Sequence, residues 1–276
     1  MTVELHRPGP ELAGYISLMV YHEGITADYD KERLLPDGGI ELIIDLTPPP
    51  KYIFDHESLA PTQACKGAWL AGFRTRPITI SAAKNSRMMV VSFHPFGAYP
   101  LLGVPLIGLQ DAVVQADDVL GSFIGDLRER LLNEPDAQAC FHLAEAAFLA
   151  ALRRRRRVAE SRWGLARFAV DWIQRTPAMG TIDAIARESG ASNRHLIDSF
   201  KEIVGVTPKQ FQRVKRFHRV VQAVDGREQV DWAGVALDCG FYDQAHLIRD
   251  FRHFSGMTPG EYLAARGDYS GYVPVA

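Results

Sequence analysis

Two stretches of this chain are the same unit written twice. Residues 182–211 read IDAIARESGASNRHLIDSFKEIVGVTPKQF, and residues 230–262 read VDWAGVALDCGFYDQAHLIRDFRHFSGMTPGEY. Each holds a short amphipathic run, a glycine, a capping residue, a longer amphipathic run and then Gly-x-Thr-Pro. A repeat of this kind constrains the fold more than any single motif, because chance rarely aligns about a dozen physically matched positions.

The matched positions have physical roles. Ile185, Ala186 and Gly190 precede the turn in the first copy; Val235, Ala236 and Gly240 do so in the second. Glycine at a helix end allows the left-handed backbone of a sharp corner. Ser192 and Asp243 are good N-caps for the next helix. Leu196, Phe200 and Ile203 fall on one helical stripe, matched by Leu247, Phe251 and Phe254. Gly205 and Gly256 end these helices. Thr207-Pro208-Lys209-Gln210 and Thr258-Pro259-Gly260-Glu261 then spell capping boxes with proline at the first helical position.

Short helix, glycine turn and second helix make a helix-turn-helix, and here there are two in tandem. The region resembles the AraC/XylS family of bacterial transcription regulators, over about residues 165–266 and most specifically in GFYDQAHLIRDFRHFSGMTPGEY. The resemblance implies seven helices with a linker helix between the two units, here Pro208 to about Val224.

Spacing identifies the outward faces. With the apolar stripe buried, Arg194, Ile197, Asp198 and Lys201 share the other face of the first long helix. Ala245, Ile248, Arg249 and Arg252 match them in the second, with Gln244 at its exposed start. The resemblance implies base reading by Arg194, Ile197, Gln244 and Arg249, with Lys201 and Arg252 nearer phosphate. Asp198 is able to accept from a cytosine amino group or simply to repel phosphate. His195 and His246 read as structural or phosphate-contacting. The linker helix carries Lys209, Arg213, Lys215, Arg216 and Arg219 with no acid between the first and the last, which suggests phosphate contacts, Lys209 and Arg213 among them. The competing reading of all these stripes is a solvated face on an ordinary bundle; two matched stripes argue against it.

The rest of the chain looks different. Residues 1–152 hold 11 basic and 19 acidic residues, whereas residues 158–276 hold 15 and 14. The acidic half is poorly suited to DNA. Short β-branched or apolar runs surround Ile43, Trp69, Ile78 and Val90, separated by turn formers such as Pro36-Asp37-Gly38-Gly39, Pro48 to Pro50 and Asn85-Ser86. They predict a small, cupin-like β-barrel over residues 1–112. Helical spacing predicts a hairpin of helices over 117–132 and 136–152. LLPDGGIELII and VVSFHPFGAYPLLGVPLIGLQD resemble the uncharacterised sensor-like domain that often precedes AraC-type modules. By that analogy the barrel binds a small effector and the hairpin dimerises.

The expected class is therefore α+β with two domains: a sensor and dimerisation domain over 1–152, an arginine-rich linker over 153–162, and an all-α tandem helix-turn-helix domain over 163–268. The run Arg153 to Arg157 either ends the preceding helix favourably or is a linker that touches phosphate. Cys65, Cys140 and Cys239 are odd in number and scattered, which points to a reducing compartment, the cytoplasm at the nucleoid. No run approaches the ~20 apolar residues that span a bilayer.

Enzyme signatures are absent: no His-x-His, Gly-x-Ser-x-Gly, His-Glu-x-x-His or phosphate loop occurs. No catalytic residue, metal ligand or cofactor is expected. Arg74 and Arg76, at alternate positions, either point together at an anionic effector or both face solvent. The expected function is sequence-specific, effector-responsive regulation of transcription. Expected partners are double-stranded DNA, a small-molecule effector, a second copy of the chain and, for an activator, RNA polymerase. The alternative is a DNA-linked enzyme of alkyl-transfer or cupin type, for which Cys65 is the first cysteine in the chain.

Overall fold

The computed structural model describes residues 1–154, 160–175, 181–267 and 269–275. Ten strands come first: β1 Thr2–His6, β2 Ile16–Glu23, β3 Lys31–Leu34, β4 Ile40–Asp45, β5 Lys51–Phe54, β6 Pro61–Cys65, β7 Ala68–Ala71, β8 Ile78–Ser81, β9 Arg87–Phe93 and β10 Val113–Gln115. An eleventh, β11 Tyr272–Val275, ends the described chain. They form two antiparallel sheets, ordered β1-β2-β9-β4-β7-β10 and β11-β3-β8-β5-β6. Neither sheet closes on itself among the described residues, so the expected closed, cupin-like barrel gives way to two open sheets.

Alternation along each strand separates two faces. Ile40, Leu42 and Ile44 of β4 are fully buried under the helical layer, while Glu41 and Ile43 face the other sheet. The helical layer begins with α1 Ala98–Leu102, a 3-10 turn at Leu106–Leu109, α2 Ala116–Leu120, α3 Ser122–Leu132 and α4 Ala137–Arg154. The helix expected over 117–132 is in fact two, because Gly121 adopts φ 64° and ψ −156°, which no helix accommodates. The hairpin of α3 and α4 buries Leu127, Leu131, Phe141 and Ala144, and Phe148 meets Phe93 of β9 edge-on at 6.5 Å.

Seven helices follow among the described residues: α5 Glu160–Arg175, α6 Ile182–Ser189, α7 Asn193–Val204, α8 Pro208–Ala223, α9 Trp232–Asp238, α10 Gln244–Ser255 and α11 Pro259–Ala265. Their ends are set by the residues the repeat singles out. Gly190 closes α6 at φ 69°, and Ser192 and Asp243 accept from the backbone of His195 and His246. Thr207 and Thr258 form complete capping boxes with Gln210 and Glu261. Linker helix α8 carries Phe217 into the second unit, 5.0 Å from Phe251 and 5.3 Å from Phe254.

The two halves are joined tightly. Phe211 of α8 lies 5.7 Å from Phe73 and 5.5 Å from Phe200. Trp163 donates its indole N–H to the Phe96 carbonyl at 2.9 Å, and Tyr99 donates its hydroxyl to Glu202 at 2.6 Å. Lys215 donates to the Asp37 carbonyl at 2.8 Å. Gly38, at φ 77°, lets it in: a Cβ there would stand 2.9 Å from Lys215 Cε. Strand β11 was not anticipated. After α11 the chain returns to the first half and pairs with β3, Tyr272 opposite Leu34 and Val275 opposite Lys31. No helix among the described residues is long and apolar enough to cross a membrane.

Phe217 is inaccessible to solvent and belongs to neither unit alone. Phe217→Ala should therefore lower stability by about 3–5 kcal/mol in urea unfolding, with the second helix-turn-helix losing near-native helicity first.

Candidate nucleic-acid interface and effector cavity

Helices α7 and α10 present the faces expected of them. Leu196, Phe200, Ile203, Leu247, Phe251 and Phe254 are all buried. On the opposite sides Arg194, Asp198, Gln244, Ala245, Arg249 and Arg252 are exposed, and Ile197, Lys201 and Ile248 are half-buried. The first half packs against the C-terminal end of α7, through Glu202 and through Gly205 beside the Leu106 carbonyl. The N-terminal turn of α7, where Arg194 stands, stays free of it.

Asp198 lies 3.7 Å from Arg194, one helical turn away. An exposed pair of this kind is worth only about 0.3–0.5 kcal/mol, so Arg194 gives it up at little cost. In the free chain Asp198 faces an arginine of its own helix. No acid pairs with Arg249 among the described residues.

The linker helix differs from its sequence reading. Of its five basic side chains, only Lys209 is fully exposed. Arg213 and Arg216 both donate to Asp250 of α10, at 2.8 and 3.3 Å. Lys215 serves the joint with Asp37, and Arg219 donates to the Gln174 carbonyl at 2.6 Å. A charge run without intervening acids looks free in sequence; the acid that claims it lies 34 residues further on. Asp250, 6% exposed, is a member of the repeat whose role sequence spacing left unread. His246 packs on Phe241 and approaches Asp250 at 3.8 Å, a structural placement. Arg153 reaches Glu11 at 3.0 Å from the end of α4, while Arg155 to Arg157 lie outside the described residues.

A second site lies between the two sheets, a cavity of about 850 Å³ including the space open to solvent. Its middle is apolar, with Leu34, Ile43, Ile80 and Val90 among its walls, and Tyr272 of β11 closes one side. Arg74 and Arg76 part company here: Arg74 is 8% exposed and lines the cavity, whereas Arg76 is exposed. The chain leaves β7 before these residues, so strand alternation does not hold them on one face. Arg74 approaches Asp37 at 3.8 Å. Arg74, Glu41 and Tyr272 also line a smaller cleft against His218 of α8, so one wall serves both the cavity and the joint between the halves.

Glu32 and Glu41 line the same cavity, and no single-residue pattern marked them beforehand. Burial pushes the Glu32 carboxyl up to about 7, partly offset by the hydrogen bond from Tyr29. Burial also raises Glu41, with Asp37 adding to the rise and Arg74 opposing it. Cys65 is buried, and its thiol is pushed up to about 11 by desolvation. An alkyl-accepting cysteine needs thiolate character, which this environment opposes.

Two consequences are measurable. Removing the Asp250 carboxylate strands two guanidinium groups, one of them on a side chain only 15% exposed; Asp250→Ala should cost about 3–5 kcal/mol in chemical unfolding. Glu32 holds its proton in the folded chain up to about pH 7, against an ordinary value of 4.5. Its favourable contribution is thus full below pH 4.5 and is lost as pH rises towards 7. Glu32→Gln should match the parent at pH 4.5 and exceed it above pH 7 by up to about 3 kcal/mol, read from unfolding midpoints across that range.

Comparison with known proteins agrees with this arrangement. A helix-turn-helix domain family matches residues 185–265, and a domain of unknown function, DUF6597, matches residues 4–115. No curated protein sequence matches the chain. Among solved structures, wild-type ToxT from Vibrio cholerae strain SCE256 with unsaturated fatty acid bound is 10% identical. It covers 89% of this chain and 94% of its own, with a TM-score of 0.48. ToxT from Vibrio cholerae O395 is 12% identical over 95% of this chain and 96% of its own, with a TM-score of 0.40. The AraC-like transcriptional activator CuxR is 16% identical over 81% of this chain and 87% of its own, at 0.23. Identities this low and superpositions this loose leave the ligand and the DNA site to the chain's own residues. The chain thus joins a region that matches DUF6597 to a region that matches a helix-turn-helix domain.

Proposed function

We propose that α7 and α10 read base edges in successive major grooves, about 34 Å apart along one face of a duplex. The observation that carries this reading is the pair of matched exposed stripes over matched buried stripes. Arg194 and Arg249 suit guanine, Gln244 suits adenine, and Ile197 offers an apolar contact to a thymine methyl. Lys201, Arg252 and Lys209 take phosphate. Arg213, expected beside them, holds the second unit in place through Asp250.

Residues 1–152 act as the sensing and dimerising part, 153–162 as the linker and 163–268 as the DNA-binding part. The cavity between the sheets holds a small-molecule effector, and the shared wall at Glu41, Arg74 and Tyr272 passes its presence to α8. The hairpin of α3 and α4 pairs two copies of the chain, and an activating complex would engage RNA polymerase. A regulator of this kind works in the cytoplasm, at the nucleoid. We read it as a regulator without catalysis of its own; the buried, protonated Cys65 speaks against alkyl transfer.

Fluorescence anisotropy on the gene's own upstream DNA, backed by selection from genomic fragments, tests the reading. The parent should bind a specific site with affinity that falls steeply as salt rises. Arg194→Ala and Arg249→Ala should each cost about 1–3 kcal/mol and relax preference at one position of the site. Lys209→Ala should weaken binding to all sequences alike and lower the salt slope by about one. Specific binding that survives the double arginine variant would reassign the contacts.

A further inference from the structure

The charges around the cavity bear on what enters it. Glu32 is 6% exposed and accepts from the Tyr29 hydroxyl at 3.3 Å. Glu41 accepts from the Ser92 hydroxyl at 3.2 Å. Neither carboxylate forms an ion pair among the described residues. Arg74, the guanidinium beside Glu41, is turned towards Asp37. Two aromatic side chains, Trp69 and Tyr272, stand in the same lining.

The other end of the cavity is different. His22, 9% exposed, lines it, and its buried Nδ1 has no hydrogen-bond partner. Lys51 lines the cavity too, and with burial it lowers the His22 imidazole from its ordinary value. Sheet register sets the span. Glu41 pairs with Ser92, while His22 and Asp45 both pair with Met88. Four residues of strand β4 thus separate the two levels, about 13 Å at ~3.3 Å per residue.

Buried carboxylates without a counter-charge resist ionisation, and a cation arriving beside them supplies what the fold withholds. Aromatic faces favour the same visitor. An anion at Arg74 would have to displace Asp37 and would stand beside Glu41, which leaves Lys51 as the one lining cation without an ion pair among the described residues.

We propose that this cavity binds an organic cation, with a protonated amine against a carboxylate of its lining, Glu32 or Glu41, an apolar body along the middle and a hydrogen-bonding group at His22. The proposal rests on the reading of the first half as effector-binding and adds the class of effector.

Four probes of one length test it on the full chain by titration calorimetry and thermal shift: octylammonium, 8-amino-1-octanol, octanoate and 1-octanol. Both amines should bind at least about tenfold more tightly than octanoate or octanol. The added hydroxyl should improve on octylammonium, and His22→Leu should remove that gain. Glu32→Gln with Glu41→Gln should lower amine affinity at least about tenfold and leave octanol unchanged. The matched series on the parent chain decides the matter even if a variant folds poorly. Octanoate as the tightest probe overturns the class and leaves effector binding standing. Octanol equal to octylammonium overturns it too, as does binding by no probe or amine affinity unchanged in the double variant. DNA binding by the same preparation without probe reports separately on the regulator reading.

Discussion

Helix α8 must bury side chains on several sides at once, and the rest of the molecule is arranged around that requirement. Phe211 and Val214 face the first unit and the sheet domain, Phe217 faces the second unit, and Val220 and Val221 complete an apolar surface with no solvent access. Burying an aromatic side chain is worth roughly 1.5–3 kcal/mol, so this helix holds three bodies together with few residues. A helix that is apolar on so many sides leaves little room for charge. Arg213, Lys215, Arg216 and Arg219 are therefore placed at the seams, each against an acceptor on a neighbour, and Lys209 is left exposed.

Those seams explain why the basic stretch of α8, beside α7 and α10, is mostly engaged within the chain. Asp250 takes both Arg213 and Arg216 and thereby fixes the angle between α8 and α10. The Asp37 carbonyl takes Lys215 and fixes α8 to the loop before β4. A guanidinium already hydrogen-bonded to a buried carboxylate is costly to move, whereas among the described residues Arg194 sits in a weak exposed pair and Arg249 in none. The two kinds of arginine thus divide into those held within the fold and those left exposed on α7 and α10.

The sheet domain meets this scaffold through a shared wall. Tyr272 enters from the far end of the chain, beyond the DNA-binding helices, and stands beside Glu41 and Arg74. The cavity wall therefore includes a strand that follows α11 in the chain and Arg74, whose partner Asp37 also receives Lys215 of α8.

The C-terminal units were legible because their signals are local. Caps, turn glycines and a 3.6-residue period act over one or two turns, and their duplication removed the ambiguity of each. The sheet-rich character of the first half was legible in its β-branched runs for the same reason. Gly121 could have been read as a break, since it sits inside the run expected to be one helix. The openness of the two sheets, the pairing of β11 with β3, the capture of Arg213 by Asp250 and the place of Glu32 and Glu41 in one cavity lining depend on residues far apart in the chain. Their proximity is created by packing, and no period or spacing records it. By itself, the sequence determined which helices form and which faces they bury, because helix geometry places those residues within a turn of each other. Only the tertiary structure decided which charges remain free for a partner, because a charge is claimed by whatever acid the fold brings beside it.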